Sequence, residues 1–201
     1  MTPRLALTRY AAVLLRPVLM AVLTTVLLAG CALTPPGAPQ PALAQLPDID
    51  SQVQRLTFVT GERQQVLLGV LGHQDQTLRL ALLSPQGQRL LTLVQDDQGT
   101  RFLPDANIEP PFSADWLASR LSWSLWPAQA LRQAFAGSDW RLADSSAERR
   151  IYRGPVLVAR LSGDRDCRII HDLESDYRLY IATIDNTLDD NARATDTCPT
   201  P

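Results

Sequence analysis

Apolar side chains at every second position between residues 52 and 103 constrain the fold of this chain more than any other feature of its sequence. A period of two is typical of β-strands, in which successive side chains point to opposite faces. Five such stretches are separated by turn residues, among them Gly61 and the Ser-Pro-Gln-Gly segment at 84–87, which suits a type I turn. Because the middle strands carry apolar residues on both faces, we predict an antiparallel meander that is covered rather than left in water.

The period changes to that of an α-helix over residues 113–135. Ser113 is a predicted N-cap, Pro127 divides the segment into two short helices, and Gly137 is a predicted C-terminal cap. Four further strand-like stretches follow between residues 149 and 184. We therefore predict a mainly β member of the α+β class, a curved antiparallel sheet or half-barrel of about eight strands with two short helices packed across its concave side.

The first 30 residues have the composition of an export signal. Three arginines and no acidic residue accompany an apolar run from residue 18 to 28, which ends in Leu28-Ala29-Gly30-Cys31. This ending resembles the lipobox of bacterial lipoproteins, in which the signal is removed before the cysteine and the thiol carries acyl chains such as palmitate. A transmembrane helix is the alternative, but Arg16 and Pro17 interrupt its apolar core. We expect residues 1–30 to be a signal peptide and Cys31 to be the lipid anchor.

The rest of the chain divides into three parts. Residues 31–50 contain five prolines and are expected to form an extended tether, residues 51–185 the folded domain, and residues 186–201 a polar tail. With Cys31 assigned to lipid, Cys167 and Cys198 remain as an even pair in an oxidising compartment. We expect them to form a disulfide worth about 3 kcal/mol of stability in the chain-entropy treatment.

Charge and motifs argue against two classes of function. After removal of the signal, acidic side chains outnumber basic ones by about five, so a nucleic-acid partner is not expected. Cys167 and His171 could in principle form a metal site or a nucleophile pair, but no serine-hydrolase elbow and no glycine-rich phosphate loop accompanies them. We predict a non-enzymatic protein without cofactor or metal, and a solvated sheet face for a cluster of four arginines: Arg149, Arg150, Arg153 and Arg160.

Two segments carry a resemblance to a known family. Leu83-Ser84-Pro85-Gln86-Gly87-Gln88, and Leu125-Trp126-Pro127-Ala128-Gln129-Ala130-Leu131-Arg132-Gln133 before a glycine, are similar to the LolA/LolB carrier and receptor family. A closer resemblance is to uncharacterised proteobacterial outer-membrane lipoproteins often encoded beside aryl-polyene biosynthetic enzymes. The resemblance implies an open half-barrel whose cavity takes acyl chains under a helical lid. It also implies an outer-membrane location facing the periplasm, with a periplasmic carrier as a possible partner. The turn at 84–87 exposes nothing apolar, which departs from the LolB hairpin that delivers cargo into the membrane.

The leading hypothesis is therefore an outer-membrane lipoprotein that binds a hydrophobic acyl or polyene ligand, or a lipoprotein, and passes it on. The predicted lid and cavity residues are Trp116, Leu117, Leu121, Trp123, Trp126 and Leu131. The alternative for the tryptophans is simple core packing between helix and sheet. The alternative for the whole protein is a structural or assembly lipoprotein with a dry core, which holds partner proteins at the membrane.

Overall fold

The computed structural model describes residues 37–104, 108–164, 166–184 and 198. The predicted signal peptide, the predicted lipid anchor at Cys31 and the predicted tail apart from Cys198 lie outside these residues. The described residues belong to one compact unit. None of the described helices is both long and apolar enough to cross a membrane.

The described residues form a single sheet of ten strands and two α-helices that pack against it. The strands are β1 (Ile49–Thr60), β2 (Arg63–Gln74), β3 (Thr77–Leu83), β4 (Arg89–Asp96), β5 (Gly99–Phe102), β6 (Trp140–Asp144), β7 (Glu148–Arg153), β8 (Val156–Gly163), β9 (Cys167–Asp172) and β10 (Tyr177–Ile184). The helices are α1 (Ala114–Leu125) and α2 (Ala128–Phe135), both between β5 and β6.

Antiparallel pairing joins the strands in the order β5-β4-β3-β2-β1-β10-β9-β8-β7-β6. The first and last of the described strands, β1 and β10, therefore meet at the centre, and β5 and β6 form the two edges of an unclosed, curved sheet. This architecture confirms the predicted α+β half-barrel with two helices after the fifth strand. The nine strand-like stretches of the sequence correspond to nine of these ten strands, so the predicted total of about eight was too low, and β6, a five-residue edge strand, was missed.

The register of the central strands separates an inner face from an outer face. Leu56 of β1 lies opposite Leu67 of β2 and Ile181 of β10, and all three point to the face that carries the helices. Leucines on β2, β3 and β4 continue this face and are almost fully buried. Their removal from water contributes about 25 cal/mol per Å² of apolar surface. The inner face and the helices thus share one hydrophobic core.

A segment formed by residues 38–47, here called the strap, packs against this core. Trp126 donates a hydrogen bond from Nε1 to the carbonyl oxygen of Ala42 at 3.0 Å, and the side chain of Leu46 is buried. His73 Nδ1 lies 3.0 Å from the carbonyl oxygen of Pro47. The sequence predicted an extended tether through residue 50. Residues 38–47 instead pack against the domain, because their backbone carbonyls accept hydrogen bonds from it and their apolar side chains are buried against it.

Candidate functional site: a cavity with one aromatic and one polar end

A cavity of about 580 Å³ lies between α1 and the inner face of the central strands. Strands β1, β2, β3, β9 and β10 contribute its floor, with aliphatic side chains at the middle: Leu56, Leu71, Leu80, Leu82, Ile170, Leu179 and Ile181. Small-molecule sites are typically clefts of about 300–1,000 Å³ with mainly apolar linings. The size and lining of this cavity match that class of site.

Helix α1 forms the wall of the cavity along its whole length. Its start is fixed by Ser113, whose Oγ accepts a hydrogen bond from the backbone N–H of Trp116 at 3.1 Å. The helical spacing then brings Trp116, Leu117, Leu121 and Leu125 to the cavity. The lining residues of α1 run from Trp116 to Leu125, which span about 14 Å at about 1.5 Å per residue. The cavity is therefore long enough to take an extended chain.

The predicted site residues separate into two groups. Trp116, Leu117 and Leu121 line the cavity, as the sequence suggested, although ligand binding by them stays a prediction. Trp123, Trp126 and Leu131 do not line it and are almost completely buried in the core. This corrects their expected placement. Helical spacing turns Trp123 away from the cavity, and its ring lies 5.9 Å from that of Trp140 on β6.

Aromatic side chains surround the end of the cavity nearest the start of α1. The ring of Trp116 lies 5.0 Å from that of Phe112 and 5.9 Å from that of Tyr177, which in turn lies 5.8 Å from Phe58. Such tilted or stacked ring pairs add stabilisation to the area they bury. Burial raises the pKa of Tyr177, with nearby Asp172 adding to the rise and Arg120 opposing it. Tyr177 is therefore a neutral phenol at physiological pH.

Polar side chains surround the opposite end of the cavity, below the last turn of α1. Gln54 of β1 lies opposite Thr183 of β10, and Gln52 lies two residues further along the same face. Arg168 of β9 reaches the helix end, where its Nη1 donates to the backbone oxygen of Ser124. Burial lowers the pKa of Arg168, and the neighbouring positive charge of Arg149 lowers it further. The cavity is thus apolar through its middle. A second guanidinium, that of Arg120, lines it nearer the aromatic end, where two carboxylates already pair with it.

The turn before β9 supplies two further polar groups at this end, Asp164 and Asp166. The Asp164 carboxylate accepts backbone N–H groups from Asp166 at 2.9 Å and Cys167 at 3.0 Å. These hydrogen bonds lower the pKa of Asp164. Gly163 precedes it with a φ of 90°, and a Cβ there would meet the backbone oxygen of Cys167 at 2.1 Å. The tight turn therefore depends on glycine at this position.

A buried ion pair holds α1 against the sheet. Arg120 Nε donates to Asp172 Oδ2 on β9 at 2.8 Å, and its Nη2 donates to Glu174 Oε2 at 2.8 Å. The Asp172 side chain is 0% exposed. The Arg120 guanidinium also lies 4.4 Å from the ring centre of Trp116 and 4.6 Å from that of Trp123. Sequence reasoning missed Arg120, for which the available signal was a single arginine within an apolar helical segment.

The C-terminal end of α1 is capped by a second arginine. Arg149 Nη1 donates to the backbone oxygens of Trp123 at 2.6 Å and Trp126 at 3.0 Å. A cation at this position satisfies carbonyls that lack helical partners and interacts favourably with the helix dipole. The expectation of a solvated sheet face is thus corrected for Arg149, whereas Arg150 and Arg160 are exposed.

The structure places the candidate cysteine in a disulfide and the candidate histidine on the outer face of the sheet. Cys167 and Cys198 form the predicted disulfide, so this structure offers no free Cys167 thiol beside His171. His171 lies on the outer face of β9, opposite Arg178 and Arg160 of the neighbouring strands. Within the described residues, no group of three His, Cys, Asp or Glu side chains could hold a metal ion.

Comparison with known sequences gives one family match. A family described as "Protein of unknown function (DUF3261)" matches residues 51–185, which run from within β1 to the residue after β10. The match covers both helices and all of the sheet except the first two residues of β1, so it includes every residue that lines the cavity except Pro47 and Ile49. No curated protein matches the chain. The resemblance to LolA and LolB gains no support from these comparisons and stays a prediction.

Proposed function

The chain belongs to the DUF3261 family, and we propose that this member binds the acyl or polyene chain of a hydrophobic ligand in the cavity beneath α1. The observation that carries the proposal is the elongated apolar cavity of about 580 Å³ along one face of the helix. Half-buried Leu117, Leu121 and Leu125 line it without filling it. A ligand chain would cover the apolar surface that these side chains leave open.

The hydrophobic effect is sufficient to drive this binding. Each buried methylene contributes about 0.8 kcal/mol, so about ten of them contribute about 8 kcal/mol before the costs of association. If none of this free energy were lost to the costs of association, it would correspond to a Kd of about 1 μM, which is the upper limit of the affinity. Immobilising the ligand chain lowers the net value, and transfer to another apolar site remains energetically accessible. Reversible binding of this strength suits a carrier or receptor rather than a permanent store.

The proposal places the protein at the outer membrane, facing the periplasm and anchored through acylated Cys31. The lipobox-like Leu28-Ala29-Gly30-Cys31 supports this location. A protein anchored by two or three acyl chains remains on the membrane while its domain exchanges ligand. The cargo would be an acyl or polyene conjugate or a lipoprotein, exchanged with the membrane or with a periplasmic carrier.

The test is photocrosslinking of the full-length protein with a diazirine derivative of palmitic acid, followed by peptide mass spectrometry. We expect label on the inner-face residues of β1 and β10 and on α1, and its loss when excess palmitate competes. Two matched variants distinguish binding at the inner face of the sheet from binding at its outer face. Ile181→Trp narrows the cavity and should reduce labelling, whereas Ile169→Trp lies outside the cavity lining and should not.

Each outcome bears on the proposal. Label that is unaffected by Ile181→Trp, or that maps to the outer face, would contradict binding in the cavity. Absence of any label from protein that remains folded would also contradict it. That result would favour the alternative of an assembly lipoprotein, for which crosslinked partner proteins would be the expected finding.

A further inference from the structure

The geometry points to a ligand with an anionic head group, received by Arg168 at the polar end of the cavity. The inference rests on the proposed function and adds the chemical class of the ligand, a single-chain amphiphile that ends in a carboxylate or a phosphate. The apolar chain would lie along α1, with its head group below the last helical turn.

Arg168 lies where two cavities approach each other. It lines the large apolar cavity and also a small polar pocket of about 120 Å³, whose other lining residues include Arg149, Ser146 and Ser162. The two sets of lining residues share Arg168 alone. A head group at Arg168 would therefore have its chain on the apolar side. On the other side it would meet serine hydroxyls and Arg149, together with the carboxylates Asp144 and Glu148, which are already paired with arginines.

The guanidinium of Arg168 has more N–H donors than its hydrogen bonds to Ser124, both of which are made by Nη1, account for. Its Nη1 donates to the backbone oxygen and, at 3.4 Å, to Oγ of Ser124, at the end of α1. An arginine carries five N–H donors in a fixed fork that matches carboxylate and phosphate oxygens. Within the part of the chain that the structure describes, no carboxylate oxygen lies within ion-pair distance of Arg168. The half-buried charge is compensated by the backbone oxygen and the hydroxyl of Ser124 and, in part, by the nearby charge of Asp164.

The acidic groups near this end do not cancel the charge of Arg168. Asp164 and Asp166 are exposed, and water screens exposed charges strongly. In the adjoining pocket, Asp144 lies 3.4 Å from Arg149 and Glu148 pairs with Arg150. A half-buried charge acts across a lower effective dielectric than an exposed one. An approaching head group would therefore interact most strongly with Arg168.

The electrostatics of the neighbouring arginines agree with this geometry. Arg149 lines the same small pocket, and its charge lowers the pKa of Arg168 in addition to the effect of burial. Two guanidinium groups that repel each other in a partly desolvated site are both stabilised by an anion placed between them. An anionic ligand would relieve this repulsion, whereas a cationic ligand would increase it.

Binding of four ligands with the same alkyl chain tests the inference on the full-length protein. Hexadecanoate, hexadecyl phosphate, hexadecanol and hexadecylamine would each displace a fluorescent neutral acyl probe. We expect the better of the two anions to bind at least about tenfold more tightly than hexadecanol, because hydrogen bonds to a charged group contribute about 1.5–3 kcal/mol. The preferred anion distinguishes a carboxylate from a phosphate ligand.

Variants identify the residue responsible for the preference. Arg168→Gln should reduce the anion-to-alcohol ratio to near one while hexadecanol still binds, and Arg168→Lys should retain part of the ratio. Arg178→Gln removes the same charge from the outer face of β10 and should behave as wild type.

The wild-type ratio decides the inference even if an Arg168 variant fails to fold. Equal binding of anion and alcohol, or tighter binding of the amine, would overturn the head-group assignment and leave the proposed function intact. Failure of all four ligands to bind would overturn the proposed function itself. A preference that survives Arg168→Gln would show that another group recognises the anion and would also overturn the assignment.

Discussion

Replacing Arg120 by methionine tests whether the buried ion pair fixes α1 above the cavity. The substitution keeps an apolar side chain of similar length but leaves the Asp172 carboxylate without its cationic partner at 0% exposure. Removing one member of a buried pair typically costs about 3–5 kcal/mol. Asp172 would keep two backbone hydrogen bonds, from Glu174 at 3.0 Å and Ser175 at 2.8 Å. We therefore expect a loss near the lower limit, about 3 kcal/mol.

A double-mutant cycle separates the ion pair from other effects of Arg120→Met. Asp172→Asn removes the negative charge and keeps an oxygen that accepts the two backbone N–H groups. In the Arg120→Met background it should recover about 2 kcal/mol, since no uncompensated charge remains buried. The free energy of unfolding and its m-value would be measured by urea denaturation, with Arg178→Met as the exposed control. A loss below about 1 kcal/mol for Arg120→Met, or additive single-mutant effects, would refute the reasoning.

Three further predictions concern the anchor, the disulfide and one turn. Cys31→Ala should abolish incorporation of a clickable palmitate analogue, measured by in-gel fluorescence, and persistence of the label would contradict lipidation at this residue. Cys198→Ser should lower the free energy of unfolding by about 3–4 kcal/mol, since the bond to Cys167 closes a separation of 31 residues, and dithiothreitol should lower the wild type to the same value. Asp164 has a lowered pKa, so the stability it contributes is present above its unfolded pKa of about 4 and is lost as the pH falls through its folded pKa. Asp164→Asn should therefore reduce the acid dependence of the unfolding free energy in urea titrations, and an unchanged slope would contradict this.

The fold was largely predictable because its main signals are local. The period of two, the Ser113 cap and the proline at 127 each report on a few neighbouring residues, and each has its expected structural counterpart. The strap was not predictable from composition. Its place in the fold depends on Ala42 and Pro47 carbonyls that meet Trp126 and His73 from distant parts of the chain. Every residue carries a backbone carbonyl, so the pattern of apolar side chains does not show which carbonyls will accept a hydrogen bond.

The cavity was harder to predict, because α1 is buried on two sides by residues of different size. On one side, Ala118, Ser119 and Ser122 are fully buried, and small side chains let a helix approach its neighbours closely. On the other side, Leu117 and Leu121 remain half-buried opposite the leucines of the sheet. The sequence reveals the small residues on one side of α1 and the leucines on the other. It does not reveal the curvature of the sheet, which decides whether these leucines contact the leucines of the strands. Apolar side chains that face one another across an open space retain unfavourable contact with water. Under the proposed function, an apolar ligand chain in this space would remove that cost.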